Sequence, residues 1–119
     1  MIYTVTSDKV TSITEDFIPV FMGNSAPKDW NGAVCQQLAP TPKLVAEFQE
    51  NKNVGSFANG YISLVLNELR PPDVVQSIHK VVGPGDLYLV ADDKVGSCQC
   101  TIVAKWLAHN GYLAKEYAG

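Results

Sequence analysis

Arg70 is the only arginine in the chain, and the lysines are scattered singly rather than gathered into a patch. With a formal net charge of -3 the sequence lacks the clustered cations that duplex nucleic acid requires, so that partner is excluded. No run approaches the roughly 18 consecutive apolar residues of a membrane-spanning helix, and a soluble protein without a membrane partner is expected. Met1-Ile2-Tyr3-Thr4 shows neither the basic start nor the apolar run of a secretory signal. The three cysteines are an odd number, which argues against a disulfide framework and for a reducing compartment, the cytoplasm. Neither a phosphate-binding Gly-x-x-x-x-Gly-Lys-Ser/Thr loop nor a Gly-x-Gly-x-x-Gly turn occurs, so no nucleotide cofactor is implied, and no other cofactor is either.

The sequence does hold enough apolar residues for one core. A hydrophobic fraction of 46% and a charged fraction of 18% over 119 residues suit a single domain spanning 1–119, too short for a second core of useful size. Ile2-Tyr3-Thr4-Val5 reads as a short strand, whereas 9–16 has no firm period. Phe17 to Met22 reads as a second strand in which Pro19 marks either a sheet edge or the start of pairing. Ser25 to Pro42 has three prolines and no sustained period, which predicts a long ordered loop. Pro42 opens a helix with Leu44, Val45 and Phe48 on one face; Ser56 is expected to cap the next, with Phe57, Tyr61, Leu64, Val65 and Leu69 inward. A third helix begins at Arg70-Pro71-Pro72 and buries Val74, Val75, Ile78, Val81 and Val82.

Leu87-Tyr88-Leu89-Val90-Ala91 is a near-continuous apolar run, the pattern of a central strand buried on both faces. It passes through Asp92-Asp93-Lys94-Val95-Gly96-Ser97 into a helix opening at Cys98 whose inward face is Ile102, Val103, Trp106 and Leu107. Tyr112-Leu113-Ala114 reads as a closing strand. Strands alternating with helices give an α/β fold in three layers: a mainly parallel sheet of about four strands with helices on both faces. In such sheets ligands gather where strand ends meet helix N-termini, so the turn after Ala91 is the expected site.

The order Trp30-Asn31-Gly32, Gln37-Leu38-Ala39-Pro40, Val65-Leu66-Asn67-Glu68-Leu69, Pro72-Asp73-Val74-Val75, the strand Leu87 to Val90, and Cys98 followed by Val103-Ala104-Lys105-Trp106-Leu107 resembles the family known as domain of unknown function 488. The resemblance spans nearly the whole chain and implies Rossmann-like layering with a polar site at the third strand. It also implies a Cys-His-Arg signature opening the last helix. Cys98 falls on the signature cysteine, while Gln99 and Cys100 stand in place of its histidine and arginine, and Asn24 stands where an arginine often follows the second strand. The resemblance therefore implies a family scaffold around a catalytically reduced site.

Several side chains compete for a role. Cys98 at a helix start is a candidate nucleophile, because free N–H groups there favour thiolate, although no histidine is near in sequence. A structural thiol is the plainer reading; redox pairing is an alternative, although direct closure of Cys98 with Cys100 across one residue would be strained, and a zinc site from Cys35, Cys98, Cys100 and His79 or His109 needs the long loop to fold over the helix, so no metal site is expected. Asp92 and Asp93 can hold a cation or act as a base, or simply serve the turn. Trp30 is either a lid or a core plug. The N–H groups of Gly96 to Gln99 with the Ser97 hydroxyl form a candidate anion cradle.

The leading expectation is a binding domain using Asn24, Trp30, Asp92, Asp93, Ser97, Cys98, Gln99 and Cys100 for a small anionic ligand or a protein partner. The alternatives are an enzyme with Cys98 as its nucleophile on a small anionic or nucleotide-like substrate, and an interaction or inhibitor module, either as a monomer or a homo-oligomer.

Overall fold

A computed structural model describes residues 1–13, 16–28 and 30–117. Thr14 and Glu15, in the stretch without a firm period, and Asp29, in the long loop, lie outside the described residues. The strands are β1 (Ile2–Thr6), β2 (Pro19–Phe21), β3 (Ala33–Val34), β4 (Leu87–Ala91) and β5 (Ala114–Glu116). The helices are α1 (Pro42–Asn51), α2 (Val54–Leu64), α3 (Pro71–Val82) and α4 (Gly96–His109). The strands form one all-parallel sheet in the order β3-β2-β4-β1-β5, so the expected α/β fold is present with five strands rather than four. The extra strand, β3, lies inside the stretch read as loop; two residues are too few to leave a periodic trace.

β4 takes the central place because all five of its residues are apolar and buried on both faces. It pairs with β1 from Ile2↔Leu87 to Thr6↔Ala91 and with β2 from Pro19↔Tyr88 to Phe21↔Val90. Pro19, the first residue of an interior strand, marks the start of pairing, where its missing N–H costs least. Alternation then divides the side chains between two unequal faces. Ile2, Val20, Leu87, Leu89 and Ala91 meet the four α-helices in the main core. Val5, Tyr88 and Val90 meet a thinner layer made by Val10 and Ile13 of a 3-10 turn region, Phe17, Trp30 and Tyr117. Rings close this face: Tyr3 stacks on Tyr88 at 5.0 Å between centroids, Phe17 tilts against Tyr88 at 4.7 Å, and Trp30 packs on Phe21 at 5.5 Å.

Local signals explain most helix ends. Thr41 caps α1 by accepting from the Leu44 N–H at 3.2 Å, with Pro42 in the first turn. The cap of α2 is Asn53, not Ser56: its Oδ1 accepts from the Ser56 N–H at 3.0 Å, since an amide three residues earlier reaches that orphan donor. α2 ends at Leu64, and a 3-10 turn carries Leu66 into the core, so Leu69 is only packed against its edge. In α3 the inward stripe is Val74, Val75 and Ile78; Val81, at the edge of that stripe in the last turn, is 71% exposed. Leu113 is also exposed, and the last strand starts one residue later.

Gly32, just before β3, shows how closely β3 approaches β2. A Cβ built there would lie 2.3 Å from the Pro19 carbonyl oxygen and 2.8 Å from its ring. The obstacle includes backbone of an interior strand, which cannot yield without loss of pairing. Gly32→Ala is expected to destabilise by about 2 kcal/mol, within the range for overpacking, read as a lowered midpoint in urea unfolding. An unchanged midpoint would show that β3 is not held in this register.

Candidate functional site

The β2–β4 seam is where the sheet changes direction. β2 feeds β3 on one side, while β4 feeds α4 and then β5 on the other. The two outgoing loops diverge at the C-terminal edge, and a crevice is left between them, as expected of open parallel sheets. It has a volume of about 380 Å³, with Asn24 and Ser25 after β2, Asp92 and Lys94 after β4, and Pro40 and Gln49 from the segment leading through α1.

Its polar groups are set by short-range bonds. Asn24 donates from Nδ2 to the Pro40 carbonyl at 3.3 Å, and its own carbonyl accepts from Gln36 Nε2 at 3.0 Å. Asp92 Oδ1 accepts the Lys94 N–H at 2.9 Å, while its carbonyl accepts the Val95 and Gly96 N–H groups at 3.1 and 2.7 Å. The Asp92 side chain thus forms an Asx-type turn. Asn24 Oδ1 and Asp92 Oδ2 have no partner among the described residues. One acid and one base line the crevice, so it carries no excess of either sign.

The eight side chains singled out from the sequence do not share one hollow. Asn24 and Asp92 face this crevice. Asp93 is exposed beside it and accepts a hydrogen bond from Ser7 Oγ, tying the ends of β1 and β4 together. Trp30 is half-buried on the helix-poor face and donates from Nε1 to the Ala33 carbonyl at 3.0 Å, which is the plug and not the lid. Ser97 and Cys98 lie on the rim of a different hollow, between α2 and α4.

Gln99 and Cys100 are corrected from surface groups to interior ones. Gln99 is fully buried, with Nε2 near the carbonyls of Met22 at 2.9 Å and Leu38 at 3.1 Å, and the Tyr61 hydroxyl at 3.2 Å. Tyr61 donates to the same Leu38 carbonyl, and burial pushes its ionisation well upward. Gln99 Oε1 is buried without a partner among the described residues. The side chain fastens α4 to the floor under the crevice, because Met22 directly precedes Gly23 and Leu38 stands two residues before Pro40, and Gly23 and Pro40 both line it. The signal was available: Gln99 stands one turn before Val103 and two before Leu107, on the face that turns inward.

The thiols are equally distinct from an activated set. The Cys100 thiol is pushed up to about 12, first by burial and then by the Glu116 carboxylate. Burial also raises Cys35 and, at the half-buried position, Cys98. His109, on the same hollow as Cys98, is eleven residues further along α4, about 16 Å by helical rise, too far to serve as its base. The anion cradle is short of donors as well: the Gly96 and Cys98 N–H groups bond the carbonyls of Asp92 and Val95. Among the described residues no three His, Cys, Asp or Glu side chains converge as a metal site, and no helix is long and apolar enough to cross a membrane. In the native protein one thiol, Cys98, is expected to react with an aromatic disulfide reagent, slowly below pH 8 and faster as the pH rises past its elevated ionisation. Rapid modification at pH 6 would show activation instead.

No family model, curated protein or solved structure matches this chain.

Proposed function

We propose that the protein is a divergent, catalytically reduced member of the domain of unknown function 488 family, and that it binds a small polar molecule in the crevice between the ends of β2 and β4. The carrying observation is the position of that crevice: it lies at the seam where outgoing connections part, and its lining holds oxygens of Asn24 and Asp92 that have no partner among the described residues. The balance of Asp92 against Lys94 favours a neutral or zwitterionic ligand over a polyanion. Recognition is favoured over catalysis because burial raises the ionisation of the Cys98 thiol and His109, the histidine on the same hollow, is too far along α4 to act as its base. The order of sequence motifs supports the family assignment.

The test is a thermal-shift and native mass-spectrometry screen of amino acids, sugars and nucleosides. A true ligand at a hundredfold excess over Kd adds about 2.7 kcal/mol and raises Tm by several degrees. Ala46→Trp, which places an indole in the crevice from the exposed face of α1, is expected to abolish the shift. A saturable shift that survives this variant, or no shift across the panel, would reject the crevice.

A further inference from the structure

The hollow between α2 and α4 differs in chemistry from the crevice. Three rows of side chains at four-residue spacing run along it: Val54, Ala58 and Ile62 on α2; Cys98, Ile102 and Trp106 on α4; and Ser97, Thr101, Lys105 and His109 on the outer edge of α4. Its volume is about 670 Å³, within the range of small-ligand sites, and its walls are mostly apolar. Val54 and Ile62 are 55% and 41% exposed, so apolar surface is open to water here.

Charge distinguishes one end. α2 carries no charged side chain, and the lining has no carboxylate, although the whole chain is acidic. Lys105 and His109 have no ion-pair partner among the described residues. Glu116 accepts the Thr101 hydroxyl at 2.9 Å, one turn before Lys105. The negative end of α4 is muted, because Asn110 Nδ2 donates to the Trp106 carbonyl and the Asn110 and Tyr112 N–H groups donate to that of Leu107.

We infer that this groove binds a small apolar carboxylate, with its alkyl or aromatic body between α2 and α4 along Ala58, Ile62, Ile102 and Trp106 and its head at Lys105 and His109. The apolar row from Cys98 to Trp106 spans about 12 Å, enough for a medium-length chain. The charged end fixes direction, and the apolar walls supply affinity. Each buried methylene tightens binding about fourfold, so decanoate is expected to bind about fifteen-fold tighter than octanoate.

Trp106 fluorescence, in a Trp30→Phe background, reads the binding of decanoate, octanoate and decanol below their micellar concentrations. Decanoate is expected to saturate, to slow alkylation of Cys98, and to weaken at least fivefold in Lys105→Glu while decanol does not. Ala58→Trp fills the groove and is expected to abolish binding, and Ala46→Trp in the crevice to leave it intact, so the two sites fail separately. Helical circular dichroism checks that Ala58→Trp is folded; if it is not, Cys98 protection decides. Equal response of decanoate and decanol to Lys105→Glu would overturn the carboxylate, and binding without Cys98 protection would overturn the site. No saturable binding would overturn both. A dimer in sedimentation that Ala58→Trp dissociates would assign the groove to a second copy and overturn the proposal.

Discussion

Gln99→Glu is expected to unfold at a much lower urea concentration at pH 8 than at pH 4.5, after subtraction of the wild-type pH profile. Gln99 Nε2 faces two carbonyl oxygens, of Met22 and Leu38, together with a tyrosine hydroxyl whose proton is given to Leu38. A carboxylate of the same shape puts a third acceptor there, so the folded state holds the side chain only as the neutral acid, which keeps one donor. Burial of this kind lifts a glutamic acid by up to three to five units above its ordinary value near 4.3. Because the folded pKa is the higher one, the variant keeps its full stability below the unfolded value. It loses about 1.4 kcal/mol per unit as pH rises from there toward the folded value.

By pH 7.5 the accumulated loss is about 4 kcal/mol, a large part of the usual margin of 5–15 kcal/mol. Gln99→Ala separates charge from packing. It takes the amide donor from the Met22 carbonyl and the tyrosine hydroxyl, leaves the Leu38 carbonyl to Tyr61 alone and opens a cavity, at a cost of about 3 kcal/mol, offset in part by removal of the orphaned Oε1, with no pH dependence of its own. Parallel pH profiles for Gln99→Glu and wild type would mean that the amide is not enclosed as described.

Leu89→Ala and Val81→Ala form the second pair, chosen because both leucine and valine belong to apolar stripes of the sequence. Leu89 is 1% exposed and sits in register between Thr4 of β1 and Val20 of β2, beneath the helices. Its neighbours on both sides are held by sheet hydrogen bonds and cannot collapse into the space, so a loss of about 3 to 4 kcal/mol is expected. Val81 is mostly solvent-facing, and its truncation is expected to change stability by less than about 0.5 kcal/mol. Urea midpoints check both. Equal costs at the two positions would place α3 in a different rotation.

These two pairs show what kind of information each level carried. The central strand was legible because a strand buried on both faces needs an unbroken apolar run, and Leu87 to Ala91 has no other economical placement. α1 and α3 were legible because proline and a capping hydroxyl, or the extended residue that proline requires before it, act within a few residues. β3 was not, since its two residues gain their identity by pairing with Val20 and Phe21, far off in chain terms. The ends of elements failed for a related reason: Val81 in the last turn of α3 and Leu113 just before β5 have the residue type of the core, but among the described residues no distant element packs over them.

Local chemistry, then, was enough to name the α/β class, the middle strand and the turn after it, because propensity, capping and apolar periodicity act over one or two turns of chain. Which side chains of that turn meet solvent was decided by distant partners. Met22 and Leu38 draw Gln99 inward from 77 and 61 residues away, the Thr4 hydroxyl donates to the Cys100 carbonyl, and α2 supplies the opposite wall for Ser97 and Cys98. A carbonyl oxygen left bare by the end of a strand has the same chemistry in every sequence, so the need for a buried amide there arises only when the strand end, the loop and the last helix are brought together.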